Sequence, residues 1–95
     1  MISCLVIAKI LIFMELPEQA IKYIEKCTVF ILSNSSLLDQ AKLHYLYAKC
    51  LFLLDKKKNI EMAIEHMNKC VDKLESIQAS IYLISAYAYL VRFYL

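Results

Sequence analysis

The chain of 95 residues carries a formal net charge of +2, and 61% of its residues are hydrophobic, with no glycine and one proline. Ordinary soluble chains are nearer ~45–50% apolar, so the excess must be buried either in lipid or against neighbouring protein. Nucleic acid is excluded as a partner, because tracking phosphates takes a basic face and the sole basic cluster, Lys56-Lys57-Lys58, reads as a solvated connection.

Apolar residues recur at three- and four-residue spacing, which predicts helices throughout. The first covers about 2–14. It is broken by Lys9 and is shorter than the ~20 residues a membrane span needs, and it lacks the basic lead-in of a secretory signal. Pro17 suits the first turn of the second helix, where its missing N–H would be unpaired anyway. Glu18 follows it, opposing the positive helix end. This helix runs to about residue 32, with Ala20, Ile21, Ile24, Cys27 and either Phe30 or Ile31 facing inward. Ser33-Asn34-Ser35-Ser36 is the clearest loop. Ser36 is the expected N-cap of the third helix, with Asp39 as a short stand-in for the capping-box glutamate.

The third helix extends to about Leu54. Leu43, Tyr47, Leu51 and Leu54 form one apolar stripe, and Leu46, Cys50 and Leu53 widen it. A helix apolar on nearly two faces sits between neighbours. Asn59 is the expected cap of the fourth helix, which runs to about Leu74 with Glu61, Glu65, Lys69 and Asp72 or Lys73 outside. A fifth begins near Glu75 or Ser76 and runs to the end. Its stretch is interrupted by Gln78, Ser80, Ser85 and Arg92, so it too fails as a membrane span.

Two phrases repeat in the same order. Ala-Lys-x-Leu occurs at Ala8–Leu11 and Ala48–Leu51, and Glu-x-Ala-Ile-x-x-x-x-Lys-Cys at Glu18–Cys27 and Glu61–Cys70. The second copy holds three extra residues between the phrases, expected within residues 55–59. A unit of this size is one helix hairpin stacked on the next. The expected fold is therefore an all-α helical-hairpin solenoid of about five helices, two and a half hairpins: about 2–32, about 36–74 and a half unit at about 76–95. Terminal repeats of a solenoid need polar caps, and neither end of this chain has one. The segment is expected to be part of a longer solenoid whose end faces are covered by further repeats or a partner.

The spacing resembles the tetratricopeptide repeat. That motif asks for a small residue in the first helix of a hairpin, then a small, a large and a small residue in the second. Ala8, Ala20, Ile24 and Cys27 supply the set once, and Ala48, Ala63, Met67 and Cys70 supply it again.

A closer resemblance covers about residues 16–68. Leu16-Pro17-Glu18-Gln19-Ala20, Phe30-Ile31-Leu32, Ser36-Leu37-Leu38-Asp39, Ala48-Lys49-Cys50, and Ala63-Ile64-Glu65 with Asn68 are similar, in order and spacing, to the C-terminal repeats of the anaphase-promoting complex subunit 5 family. The resemblance implies a non-catalytic scaffold subunit of a ubiquitin ligase controlling mitotic progression, found in nucleus and cytoplasm, whose partners are the other subunits.

No chemistry competes with that reading. Cys4, Cys27, Cys50 and Cys70 never form the close pairs of a zinc site, and in a reducing compartment they read as buried thiols. His44 lacks a nearby ligand and His66 has only Cys70 one turn on, so no metal or cofactor is expected. Ser33, Ser35 and Ser36 have no base beside them. Without glycine there is no phosphate-cradling loop. The chain is read as no enzyme.

In the tetratricopeptide class, Lys9 and Lys49 fall on the side lining the concave groove. Leu5, Ile12, Tyr45 and Phe52 occupy the neighbouring positions, so a carboxylate clamp is disfavoured and an apolar groove for a partner helix or extended segment is expected. The candidate interface is Lys9, Tyr45, Lys49, Phe52, Tyr82 and Tyr89. For the tyrosines, packing between stacked helices is the competing role. The alternatives in function are an unrelated repeat adaptor for a peptide or partner helix, and a small regulatory helical bundle.

Overall fold

The computed structural model describes residues 4–95, the side chains of Cys4 and Asn34 excepted. It has five helices and, among the described residues, no strand: α1 (Cys4–Phe13), α2 (Pro17–Asn34), α3 (Leu37–Leu54), α4 (Lys56–Ser76) and α5 (Ser80–Tyr94). The expected start of the first helix at residue 2 lies outside the described residues. No described helix is long and apolar enough to cross a membrane.

The connections follow from local chemistry. Pro17 opens α2, and Ser36 caps α3 by accepting from the Asp39 N–H at 3.3 Å. The link between α3 and α4 is a single residue. The Asp55 N–H donates to the Leu51 carbonyl, closing α3, and its carboxylate accepts from the Lys58 N–H at 3.2 Å, opening α4. This corrects two expectations. Lys56, Lys57 and Lys58 form the first turn of α4 rather than a loop, so the three extra residues lengthen a helix. Asn59 lies inside that helix and sends its side-chain N–H back to the Leu51 carbonyl at 3.2 Å. Aspartate wins the cap because its carboxylate favours the positive helix end.

The two other tight connections turn through left-handed backbone at Glu15 (φ 61°) and Gln78 (φ 55°). At the second, the Ala79 N–H reaches the Leu74 carbonyl at 3.0 Å and the Gln78 N–H reaches that of Glu75 at 3.1 Å. Leu16 and Glu15 repeat the pattern onto Leu11 and Ile12. This is the Schellman ending, usually made with glycine. It sets the start of α5 at Ser80, several residues later than expected.

Each helix packs on its chain neighbour, and α1 also lies against α3. The core has two parts sharing α3. Leu43, Leu46 and Cys50 join α1 and α2, whereas Ala41, Ala48 and Leu51 join α4 and α5. The eight repeat positions, Ala8, Ala20, Ile24, Cys27, Ala48, Ala63, Met67 and Cys70, are all buried, none more than 5% exposed. Small residues let helix axes approach, and Ile24 and Met67 fill the space beside them. On α2, Ile31 rather than Phe30 turns inward. On α4, Asp72 stays outside, whereas Lys73 bends in to donate to Gln40 Oε1 on α3 at 3.1 Å.

Apolar surface remains at both ends of the array. Val6, Ile10, Phe13 and Met14 are exposed at one end and Ile81, Ile84, Val91 and Leu95 at the other. The high hydrophobic content is thus only partly absorbed by the core.

Candidate interaction groove

Helices α1, α3 and α5 lie side by side, with α3 in the middle. They form the walls of an open groove of about 930 Å³. Lys9 and Ile12 enter from α1, Lys42, Tyr45 and Lys49 from α3, and Tyr82 from α5. Spacing along α3 is what aims these residues together: 42, 45, 46, 49 and 53 fall on one helical face.

Of the residues expected at an interface, Lys9, Tyr45, Lys49 and Tyr82 line this groove. Phe52 and Tyr89 do not. Phe52 stacks at 5.0 Å on Phe93 beneath the Lys56 ammonium, and Tyr89 stands edge-on behind Tyr45 at 5.4 Å. Both were expected beside the groove, with packing between stacked helices as the competing role for Tyr89, and α3 and α5 take them into that packing instead.

Two lysines are held over rings. Lys42 Nζ lies 5.4 Å from the Tyr82 centroid and Lys49 Nζ 5.4 Å from that of Tyr89, a favourable placement of a cation on a π face. Burial, and next the nearness of Tyr89, pushes the Tyr45 hydroxyl up to about 12, so it stays a neutral donor. Lys42 was missed in the sequence, although its three-residue offset from Tyr45 places it on the same face. The floor is apolar and the cations stand along it, with Asp39 and Glu15 also lining the groove.

A second feature was invisible in linear spacing. His44 of α3 and His66 of α4 meet with Nδ1 atoms 3.1 Å apart, and the Tyr47 ring covers His66 at 4.5 Å. One imidazole donates and the other accepts, which requires the accepting ring to be neutral, so the two cannot both be protonated. Burial, then the charges of His66, Lys73 and Lys69, lowers His44 to about 4. Burial and Lys69 lower His66, against Glu65. The pair is bounded by a small cavity of about 330 Å³ that Glu25 and Thr28 also line. Among the described residues no group of three or more His, Cys, Asp or Glu could hold a metal.

The cysteines divide. Burial pushes the Cys50 thiol up to about 12 and the Cys70 thiol to about 11, which leaves both poor nucleophiles. Cys27 is buried as expected, but it is disulfide-bonded rather than a thiol. Linear spacing could not reveal this, since a disulfide depends on which Cβ atoms the fold brings together.

Compared with protein-family models, curated proteins and solved structures, the chain matches none.

Proposed function

We propose that this chain is a non-catalytic scaffold segment that holds a protein partner in the groove between α1, α3 and α5. Following the resemblance of residues 16–68, the complex it serves is the anaphase-promoting complex, where it acts as a subunit-5-like repeat tail. The observation that carries the reading is the groove itself: Tyr45 and Tyr82 beside apolar side chains, with Lys9, Lys42 and Lys49 on its walls. Aromatic anchors ringed by polar groups are what protein interfaces use for affinity. The mechanism is geometric. Stacked hairpins with buried repeat positions keep the groove's shape, and a partner is positioned rather than transformed.

The test is affinity purification of the tagged protein with mass spectrometry of its companions, repeated with Tyr45→Ala and Lys49→Glu. Stoichiometric recovery of ubiquitin-ligase subunits, lost in the groove variants, supports the reading. Recovery of chaperones alone would overturn it.

The three groove lysines favour a second reading, that of an unrelated repeat adaptor. Its ligand would be a peptide carrying carboxylates among apolar residues. Recovery of one such partner, with no ligase subunits, would select it.

A further inference from the structure

The two histidines of the chain come from different helices, yet their Nδ1 atoms stand 3.1 Å apart. The ring centroids are 5.3 Å apart and the ring planes differ by 26°. The nitrogens are therefore closer than the rings, so each imidazole turns its Nδ1 edge toward the other. One proton lies between them. Without it, two in-plane lone pairs face the same small volume.

That separation is also the bite of two ligands on one metal ion. Zinc binds imidazole nitrogen at ~2.0–2.1 Å, which sets two such nitrogens about 3.3 Å apart at a tetrahedral angle. At the right angle of a square-planar ion the same bond length gives about 2.9 Å. The observed 3.1 Å falls between the two. The surroundings suit a cation. The cavity of about 330 Å³ borders both rings, ample for water, whose share of liquid volume is ~30 Å³. The Glu25 carboxylate on its wall and Glu65 offset the charges of Lys69 and Lys73. Burial, the first cause of lowering in both rings, keeps them unprotonated at neutral pH, as metal ligands must be. The buried Cys50 and Cys70 thiols hold their protons at that pH and compete poorly.

We infer that His44 and His66 form a two-histidine site for a divalent transition-metal ion of the zinc, nickel or copper class, which bridges α3 to α4 through both Nδ1 atoms. Among the described residues no third His, Cys, Asp or Glu completes a set, and resident zinc centres take three or four protein ligands. The ion is therefore held weakly and reversibly, with water in its other positions. On binding, the ring that donates gives up its Nδ1 proton and takes one at Nε2. Both rings end as Nε2–H tautomers, and no net proton is released. The Tyr47 ring, 4.5 Å from that of His66, limits how far the imidazole can turn away. None of these residues lines the groove between α1, α3 and α5, so the inference is independent of what the groove holds.

The experiment is a titration of the full chain, labelled with ¹⁵N at histidine, with zinc chloride at neutral pH. Without zinc, one ring is expected to carry its proton at Nδ1 and the other at Nε2. With zinc, both are expected as Nε2–H tautomers with shifted Nδ1 resonances. Urea unfolding of the same protein is expected to show a midpoint that rises with zinc, because the ion bridges helices only in the folded chain. The rise is expected to vanish in His44→Gln and in His66→Gln. Ring nitrogens that stay unmoved at zinc concentrations on the order of millimolar overturn the proposal, as does a midpoint rise that survives in both variants. A shift confined to one ring overturns the bridging geometry. Should either variant fail to fold, the ring-nitrogen spectrum of the unaltered protein decides alone.

Discussion

Helices α3 and α5 both carry apolar residues on more than one face, yet the fold treats them differently. α3 buries residues on two faces, from Ala41, Leu43 and His44 through to Leu51, because α1 and α2 lie on one side and α4 and α5 on the other. α5 buries only Ala86 and Phe93 and leaves Ile81, Ile84 and Val91 in solvent. Residue content is not what separates them. In a stack of hairpins each element is stabilised by its neighbours, so position in the stack decides what the same apolar surface contributes.

The sharpest way to break this comparison is to shave equal side chains. Leu43→Ala, deep in α3, is expected to cost about 2–5 kcal/mol, as transfer and cavity terms add. Ile84→Ala on α5 is expected to change stability by no more than about 0.5 kcal/mol. Urea unfolding at low protein concentration reads both. Similar losses would mean that α5 is covered in the monomer, contrary to the fold described above.

Acid probes the middle of the stack next. With His44 lowered from 6.5 to about 4, the folded protein binds fewer protons than the unfolded chain between those values. Stability therefore falls as pH drops through that window. The expected loss is on the order of 2 kcal/mol by pH 4, allowing for partial solvent screening. His44→Gln, which removes one of the two lowered imidazoles, should make the profile shallower and leave the contribution of His66. A wild-type stability that is level from pH 7 to 4 would contradict the buried neutral pair.

The smallest effect lies at the entrance to α5. Gln78 holds a left-handed backbone that costs a residue with a Cβ but not glycine. Gln78→Gly is expected to raise stability by about 0.5–1 kcal/mol, visible as a shift in the urea midpoint. A decrease would mean that the turn is held by something other than its backbone.

Legibility followed the range of the interactions. The helices, the Ser36 cap and the eight buried repeat positions were readable because each rests on a local periodicity or a three-residue hydrogen bond. The Asp55 hinge was missed because a lysine run reads as a loop until a carboxylate is seen capping it. The turn at Gln78 was missed because, without glycine, a left-handed residue leaves no mark in the sequence. At the groove, Lys9, Tyr45, Lys49 and Tyr82 were foreseen, whereas Phe52 and Tyr89 belong to the packing between α3 and α5.

The amino-acid sequence alone determined an all-helical chain of repeated hairpins, because helical periodicity and the small-residue positions are properties of neighbours along the backbone. Tertiary structure decided which aromatics face the groove, which cysteine forms a disulfide, that His44 meets His66, and which apolar stripe is left uncovered. Those outcomes depend on how helices approach one another across 22 or more residues of sequence, as the His44–His66 separation illustrates. Distances of that kind are set by packing, and side-chain type does not encode them.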